Sequence, residues 1–239
     1  MKFRVLPEIF DSFPGLEIGS VVAKGINNRG PCPEIVHLIK KTQEQIKAHF
    51  RRENLMDHPK FQSWREAFVS FGAKPKKHRS SVENLYRLIA DGKDLRSINK
   101  IVDIYNYISL KYMVPVGGDD LAKVEGDIVL RFAEGDEVFT PLGSDEIQKA
   151  RKGEVIYADQ SEVLCRRWNW RESEKTKMTE QSQDILLIAE GLPPVGRVEM
   201  EGFVHDLSQL IEKYCGGGIN SAVLCAEERE FDLQYILAT

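Results

Sequence analysis

Cysteine is scarce in this chain: four residues, Cys32, Cys165, Cys215 and Cys225, are scattered over 239 positions. None forms a CxxC pair, and no histidine falls at zinc-ligand spacing. A structural zinc site is therefore not expected, and the thiols suit a reducing cytoplasm. Long apolar runs are missing too. Nothing approaches membrane-spanning length, and the opening MKFRVLPEIF has no signal-peptide apolar core. A soluble, cytoplasmic protein with no membrane partner is expected. Neither charge sign dominates, with a formal net charge of -4. The chain as a whole is thus no polyelectrolyte partner for DNA, and any RNA contact must come from a local basic patch. There is no GxxxxGK[ST] phosphate loop, so nothing supports ATP activation, ligase activity from this chain alone, or a bound cofactor. There is no nucleophile elbow or Ser-His-Asp pattern, and all five histidines lie outside residues 126–190. Internal repeats and low-complexity segments are absent as well.

What remains is an ordinary globular composition, 42% hydrophobic and 29% charged, able to bury a real core. Residues 2–32 read as strands and turns, FRVLPEIF and LEIGSVVAKGI, punctuated by glycine. Helical spacing follows at Ile35, Leu38, Ile39, Ile46 and Phe50, and again from Phe61 to Phe71. Ser81 and Ser97 stand where helix caps belong. Ile98, Ile101, Val102, Tyr105 and Tyr112 share one helical face. After Pro115 the pattern becomes strand and turn: DIVLRFA, EVFTPL, EVIYAD, EVLCRRW and DILLIAE. A helix through Phe203 to Tyr214 and a strand INSAVLCA close the chain. Helices grouped ahead of strands predict an α+β fold, with N-terminal strands and helices packed on a mostly antiparallel sheet core. The expected domain is single, residues 1–239, with its helical part at about 33–112.

Five groups of residues suggest chemistry. Asn106 sits on the helical face of Asp103, where it either bonds a ligand or stitches helix to turn. After Pro115, Gly117 and Gly118 either present backbone N–H groups to a carbonyl or phosphate, or only form a tight turn. In Cys165-Arg166-Arg167-Trp168-Asn169-Trp170-Arg171, guanidiniums suit phosphates and indoles suit stacking, with Thr176 and Thr179 supplying hydroxyls. The plainer alternative is a strand with alternate residues in the core. Glu190 ends an apolar strand, where burial raises a carboxyl and fits it to orient or deprotonate water, unless it is a salt-bridged strand end. Lys74, Lys76, Lys77 and Arg79 form the main basic cluster, suited to a phosphate backbone or simply to solvent.

The string SINKIVDIYNYISLKYMVPVGGDDLAKVEG, Ser97 to Gly126, resembles the B3/B4 domain of the bacterial phenylalanyl-tRNA synthetase beta subunit. The similarity runs from about Leu95 to Leu192, and RRWNWR with the basic helical part resembles free-standing B3/B4 proteins. Read alone, GGDD also resembles the metal-binding loop of diguanylate cyclases, but the surrounding cyclase pattern is not evident. Two positions depart from the synthetase pattern. Its His after Pro-Met has no counterpart, since Pro115-Val116 runs into Gly117. Its Glu directly after Leu-Leu is replaced by Ile188, with Glu190 two residues on and on the same strand face.

The resemblance implies hydrolysis of mischarged aminoacyl-tRNA, acting in trans. Glu190 would orient water. Asn106, Arg166, Arg167, Asn169, Thr176 and Thr179 would hold the amino acid or ribose. Pro115, Gly117, Gly118 and Trp168 would shape the pocket, and Lys74, Lys76, Lys77 and Arg79 would meet tRNA. The alternatives are a non-catalytic module binding tRNA or an amino acid, and a protein-interaction domain. The hydrolase reading requires the glycine turn, the Arg-Trp strand and Glu190 to enclose one hollow sized for an esterified residue.

Overall fold

The computed structural model describes residues 1–234; residues 235–239 of the expected domain lie outside it. The elements in chain order are β1 (Lys2–Val5), α1 (Pro7–Ser12), β2 (Glu17–Lys24), α2 (Pro33–His49), α3 (Pro59–Ser70), α4 (Ser81–Ala90), α5 (Lys100–Tyr112), β3 (Val116–Asp120), β4 (Ile128–Phe132), β5 (Val138–Phe139), β6 (Gln148–Lys149), β7 (Val155–Ala158), β8 (Val163–Arg166), β9 (Arg171–Glu172), β10 (Ile185–Gly191), α6 (Arg197–Cys215), β11 (Gly218–Leu224) and β12 (Glu230–Asp232). The fold is α+β. A six-stranded sheet, β12-β1-β4-β7-β8-β9, faces a four-stranded sheet, β11-β2-β10-β3. Among the described residues, every strand pairing is antiparallel except β1 with β4.

Strand β10 shows why the layers stack this way. ILLIAEG has no polar face for water, so it must be covered on both sides. Ile185, Leu187 and Ala189 enter a core shared with α5 and α6. Leu186 and Ile188 point the other way, into the core between the sheets, with Phe3, Leu130 and Tyr157. Glu190 has the parity of Leu186 and Ile188, so its carboxyl is carried into the same interior and is 2% exposed.

Helix α5 sets the position of β3. Asn99 caps its start by accepting from the Val102 N–H at 3.1 Å. Its end is Met113 in a left-handed conformation, φ 53°, and the chain then turns at Pro115 into β3. Asp103 faces back along the chain, accepting from the Ser97 hydroxyl and from the Ile98 N–H at 3.0 Å.

Local expectations miss in three places. Pro7–Ser12 is a helix and not a strand, because Pro7 at its first turn fixes φ and needs no N–H partner. The caps fall at Ser80 and Asn99 rather than Ser81 and Ser97. Ile98 therefore lies outside the helix and is 66% exposed. Among the described residues, no helix is long and apolar enough to cross a membrane.

Candidate functional site

The site lies between the two sheets and follows from strand register. Leu130 pairs with Tyr157, Tyr157 with Cys165, and Cys165 with Glu172, so Tyr157, Cys165 and Glu172 form a row across the inner face of the larger sheet. Opposite, Gly117 pairs with Ile188 and Asp119 with Leu186. This puts Gly117, Asp119 and Glu190 on the facing wall. The turn between β8 and β9 closes one end with Trp168 and Asn169. Together these residues line a single hollow of about 20 Å³.

Three carboxyls meet there. Burial pushes Glu190 up to about 8, and hydrogen bonds from Tyr157 and Asn169 only partly offset it. The Tyr157 hydroxyl donates to Glu190 Oε1 at 2.8 Å, and Asn169 Nδ2 reaches Oε2 at 3.5 Å. Burial, then the Asp119 and Glu190 charges, push Glu172 well above the ordinary range. Asp119 is raised to about 6 by burial, against a 2.5 Å hydrogen bond donated by the Thr176 hydroxyl. Burial likewise raises the Tyr157 hydroxyl and the Cys165 thiol. Glu190 and Glu172 therefore hold their protons at neutral pH, because low dielectric disfavours their anions, whereas Asp119 is mostly ionised. Asn169 Oδ1 and Trp168 Nε1 are buried beside it with no protein hydrogen-bond partner.

Gly117 leaves room for the Glu172 carboxyl. A Cβ there would run into Glu172 Oε1. The Glu190 N–H donates to the Pro115 carbonyl at 3.3 Å, which makes Ile188–Gly117 the next hydrogen-bonded pair of the ladder. The Gly117 N–H is thus used within the sheet. The Gly118 N–H, like that of Asp120, which donates to the Thr176 carbonyl at 2.9 Å, points off the outer edge of β3. Of the two glycines expected to offer donors, only Gly118 is placed to do so.

The Arg-Trp segment divides: Trp168 and Asn169 line the hollow, whereas Arg166 and Arg167 turn away from it. Arg166 forks onto Glu154 at 2.7 and 3.1 Å, and Arg167 Nε joins the same carboxylate at 2.9 Å. All three are buried, and neither arginine lines the inter-sheet hollow. Burial pushes the Glu154 carboxyl up, but the two guanidiniums outweigh it and hold the group below its ordinary range. Trp168 is fully buried, packed edge-on against Trp64 at 4.9 Å and against Phe13 at 4.6 Å. It walls the hollow as part of the main core. Arg167 and Trp168 both adopt positive φ, 50° and 63°, a left-handed backbone that costs a side-chain-bearing residue about 1–2 kcal/mol each.

The other expected residues disperse. Thr176 acts through Asp119, whereas Thr179 lines a separate open groove of about 640 Å³. Pro115 is buried at the start of β3, and Asn106 is half-buried on α5 and lines none of these hollows. Arg79 turns inward to Glu83 at 3.5 Å and donates to the Lys76 carbonyl at 2.7 Å, so it leaves the basic cluster. Lys74 and Lys77 line a hollow of about 280 Å³ with His78, Arg151, Glu154 and Arg167, and Lys76 is exposed outside it. Sequence reasoning missed Tyr157, Cys165, Glu172 and Asp119. Period-two alternation in EVIYAD and EVLCRRW marks Tyr157 and Cys165 as same-face residues, but only register brings them to Glu190.

Against known families, the B3/4 domain model matches residues 63–216. The chain belongs to the B3/4 domain family. Curated relatives of this B3/4 protein include the phenylalanine–tRNA ligase beta subunit of Aliivibrio fischeri, 33% identical over 162 residues, which are 58% of this chain and 20% of that one. The beta subunit of Vibrio cholerae is 34% identical over 122 residues, 50% of this chain and 15% of that one. The chain thus spans a fifth or less of the length of these relatives. Among solved structures, an N-terminal fragment of the phenylalanyl-tRNA synthetase beta subunit from Pyrococcus horikoshii gives a TM-score of 0.48 at 14% identity, covering 92% of this chain and 53% of the fragment.

Proposed function

We propose that this B3/4 protein hydrolyses aminoacyl-tRNA in trans, with Glu190 taking a proton from the attacking water. The observation that carries this reading is the meeting of Glu190, Asn169 and the Gly117–Gly118 edge at one water-sized hollow. Its family, with phenylalanine–tRNA ligase beta subunits among its relatives, supplies the substrate class. The aminoacyl ester is already activated, so a positioned water and charge stabilisation suffice without a covalent nucleophile. Water gives its proton to the Glu190 carboxylate and its oxygen adds to the ester carbonyl. The carbonyl oxygen takes up the negative charge beside the Gly118 N–H. Collapse then releases the amino acid, and the ribose oxygen recovers a proton from Glu190. Because the hollow admits water and not a side chain, the ester sits at the mouth, where Gly117, Gly118 and Glu172 are half-buried.

A panel of mischarged tRNAs tests this reading, with wild type against Glu190→Gln. The variant should lose about 100-fold or more in deacylation rate, the range for a general base. Wild-type turnover by Glu190→Gln would remove the assignment. Wild-type rate should rise with pH toward 8, as the carboxyl ionises.

The second reading is binding of tRNA or an amino acid without turnover. It is favoured by the same hollow's volume, about 20 Å³, which leaves no room for an amino-acid side chain. Salt-dependent tRNA binding with no deacylation across the panel would establish it. A protein-interaction role for the Arg-Trp segment has less support, because Arg166, Arg167, Trp168 and Asn169 are all buried. Under the first reading the chain works in the cytoplasm on aminoacylated tRNA.

A further inference from the structure

We propose that the hollow beneath the Lys74–His78 loop is a binding site for a phosphate group. Its cations come from three separate segments: Lys74 and Lys77 after α3, Arg151 in the turn before β7, and Arg167 in the turn after β8. Four like charges gathered around one space repel each other, and an anion seated among them removes that cost. The single lining carboxylate does not fill this role. Glu154 is buried and already held by both oxygens, by Arg166 at 2.7 and 3.1 Å and by Arg167 at 2.9 Å. Among the described residues, Lys74, Lys77 and Arg151 have no ion-pair partner. They are exposed at the rim, while Arg167 forms the floor.

The floor is built rather than incidental. Arg167 is 6% exposed, its guanidinium lies 4.6 Å from the centre of the Trp170 ring, and its backbone holds a positive φ of 50°. His78 packs edge-on against the same indole at 4.7 Å, and its Nδ1 is buried with no protein partner. Burial, and then the charges of Arg167, Arg166 and Arg151, outweigh Glu154 and push the His78 imidazole down to about 4. The ring is therefore neutral at physiological pH, with one nitrogen to donate and one to accept. The unpaired Arg151 guanidinium, two ammonium groups and a neutral imidazole around about 280 Å³ match a phosphate group, with Arg167 beneath them.

A phosphodiester of an RNA strand and a free phosphomonoester share this chemistry, and the test separates them. The full chain is titrated at low ionic strength with inorganic phosphate and, separately, with a short RNA lacking terminal phosphates. Binding is read by calorimetry and by intrinsic tryptophan fluorescence. Saturable inorganic phosphate binding assigns the hollow to a phosphomonoester. RNA binding without inorganic phosphate binding assigns it to the strand backbone. In either case, Lys77→Gln and Arg151→Gln, at exposed positions that leave the core intact, should each weaken binding about tenfold. Lys76→Gln, one residue away but outside the hollow, should change it by less than about twofold. Failure of both probes to bind would overturn the proposal. So would unchanged affinity in Lys77→Gln with Arg151→Gln, or an equal loss in Lys76→Gln. The readout is binding alone, so an absence of deacylation leaves this site standing.

Discussion

The two hollows flank one turn and treat charge in opposite ways. On one side, Trp168 and Asn169 face three carboxyls in a small space of about 20 Å³. On the other, Arg167 faces three more cations in a larger space of about 280 Å³. Acids desolvated with no cation beside them keep their protons, so Glu190 and Glu172 lose their charge rather than find partners. The cations at the rim remain hydrated and charged. Deeply buried on that side, Arg166 and Arg167 share the one carboxylate of Glu154, which leaves one net positive charge. A nearby counter-charge thus decides between the two outcomes: Glu154, buried beside two guanidiniums, stays ionised, and Glu190, as deeply buried with none, keeps its proton.

The contrast can be broken most forcefully at Glu154. Glu154→Ala leaves Arg166 and Arg167 buried without their counter-charge and should destabilise the fold by about 3–5 kcal/mol. Urea unfolding measures this, and a loss under about 1 kcal/mol would mean that the arginines reach water without it.

A smaller effect reads the acidic side. The folded state holds the Glu190 proton up to about pH 8, whereas the unfolded chain releases it near its ordinary value of 4.5. Stability from this group is complete below the lower value and drains away as pH rises through the upper one. The unfolding free energy should therefore fall across that window by up to about 1.4 kcal/mol per pH unit. Glu190→Gln, neutral throughout, should remove this slope. His58 and His78, both pushed down, slope the other way below 6.5. The difference between wild type and variant, from pH 5 to 8, is thus the quantity to compare. Parallel curves would mean that Glu190 is ionised in the fold.

Gly117→Ala sharpens the shape of the inter-sheet hollow. The new methyl displaces the flexible end of Glu172, so the cost should be only about 1 kcal/mol. A shift in urea midpoint measures it, and deacylation should fall further than stability if the mouth admits the ester. Lys76→Gln should have the least effect, under about 0.5 kcal/mol in the same melts. A larger loss would place Lys76 within the basic side.

Much of the architecture was legible in the chain. The apolar run of β10 demanded cover on both faces, and alternation put Glu190 on the inner one. The glycine pair after Pro115 marked a close approach, although its reason, the nearby Glu172, was not local. The Arg-Trp segment was legible as unusual but not in its role, because nothing near it in sequence announces Glu154. The basic run divided for the same reason: Arg79 found Glu83, while Lys74 and Lys77 found Arg151 and Arg167.

By itself, the sequence determined periodicity, and with it the helices, the strands and the side of β10 on which Glu190 points. These follow from neighbours within a few residues, where backbone geometry leaves little choice. Only the tertiary structure decided which groups share a space. Strand register brought Tyr157, Cys165 and Glu172 to Glu190, and folding carried distant loops together around Arg167. Solvent exclusion and charge pairing depend on those long-range meetings, so the chemistry of both hollows was fixed by packing rather than by local pattern.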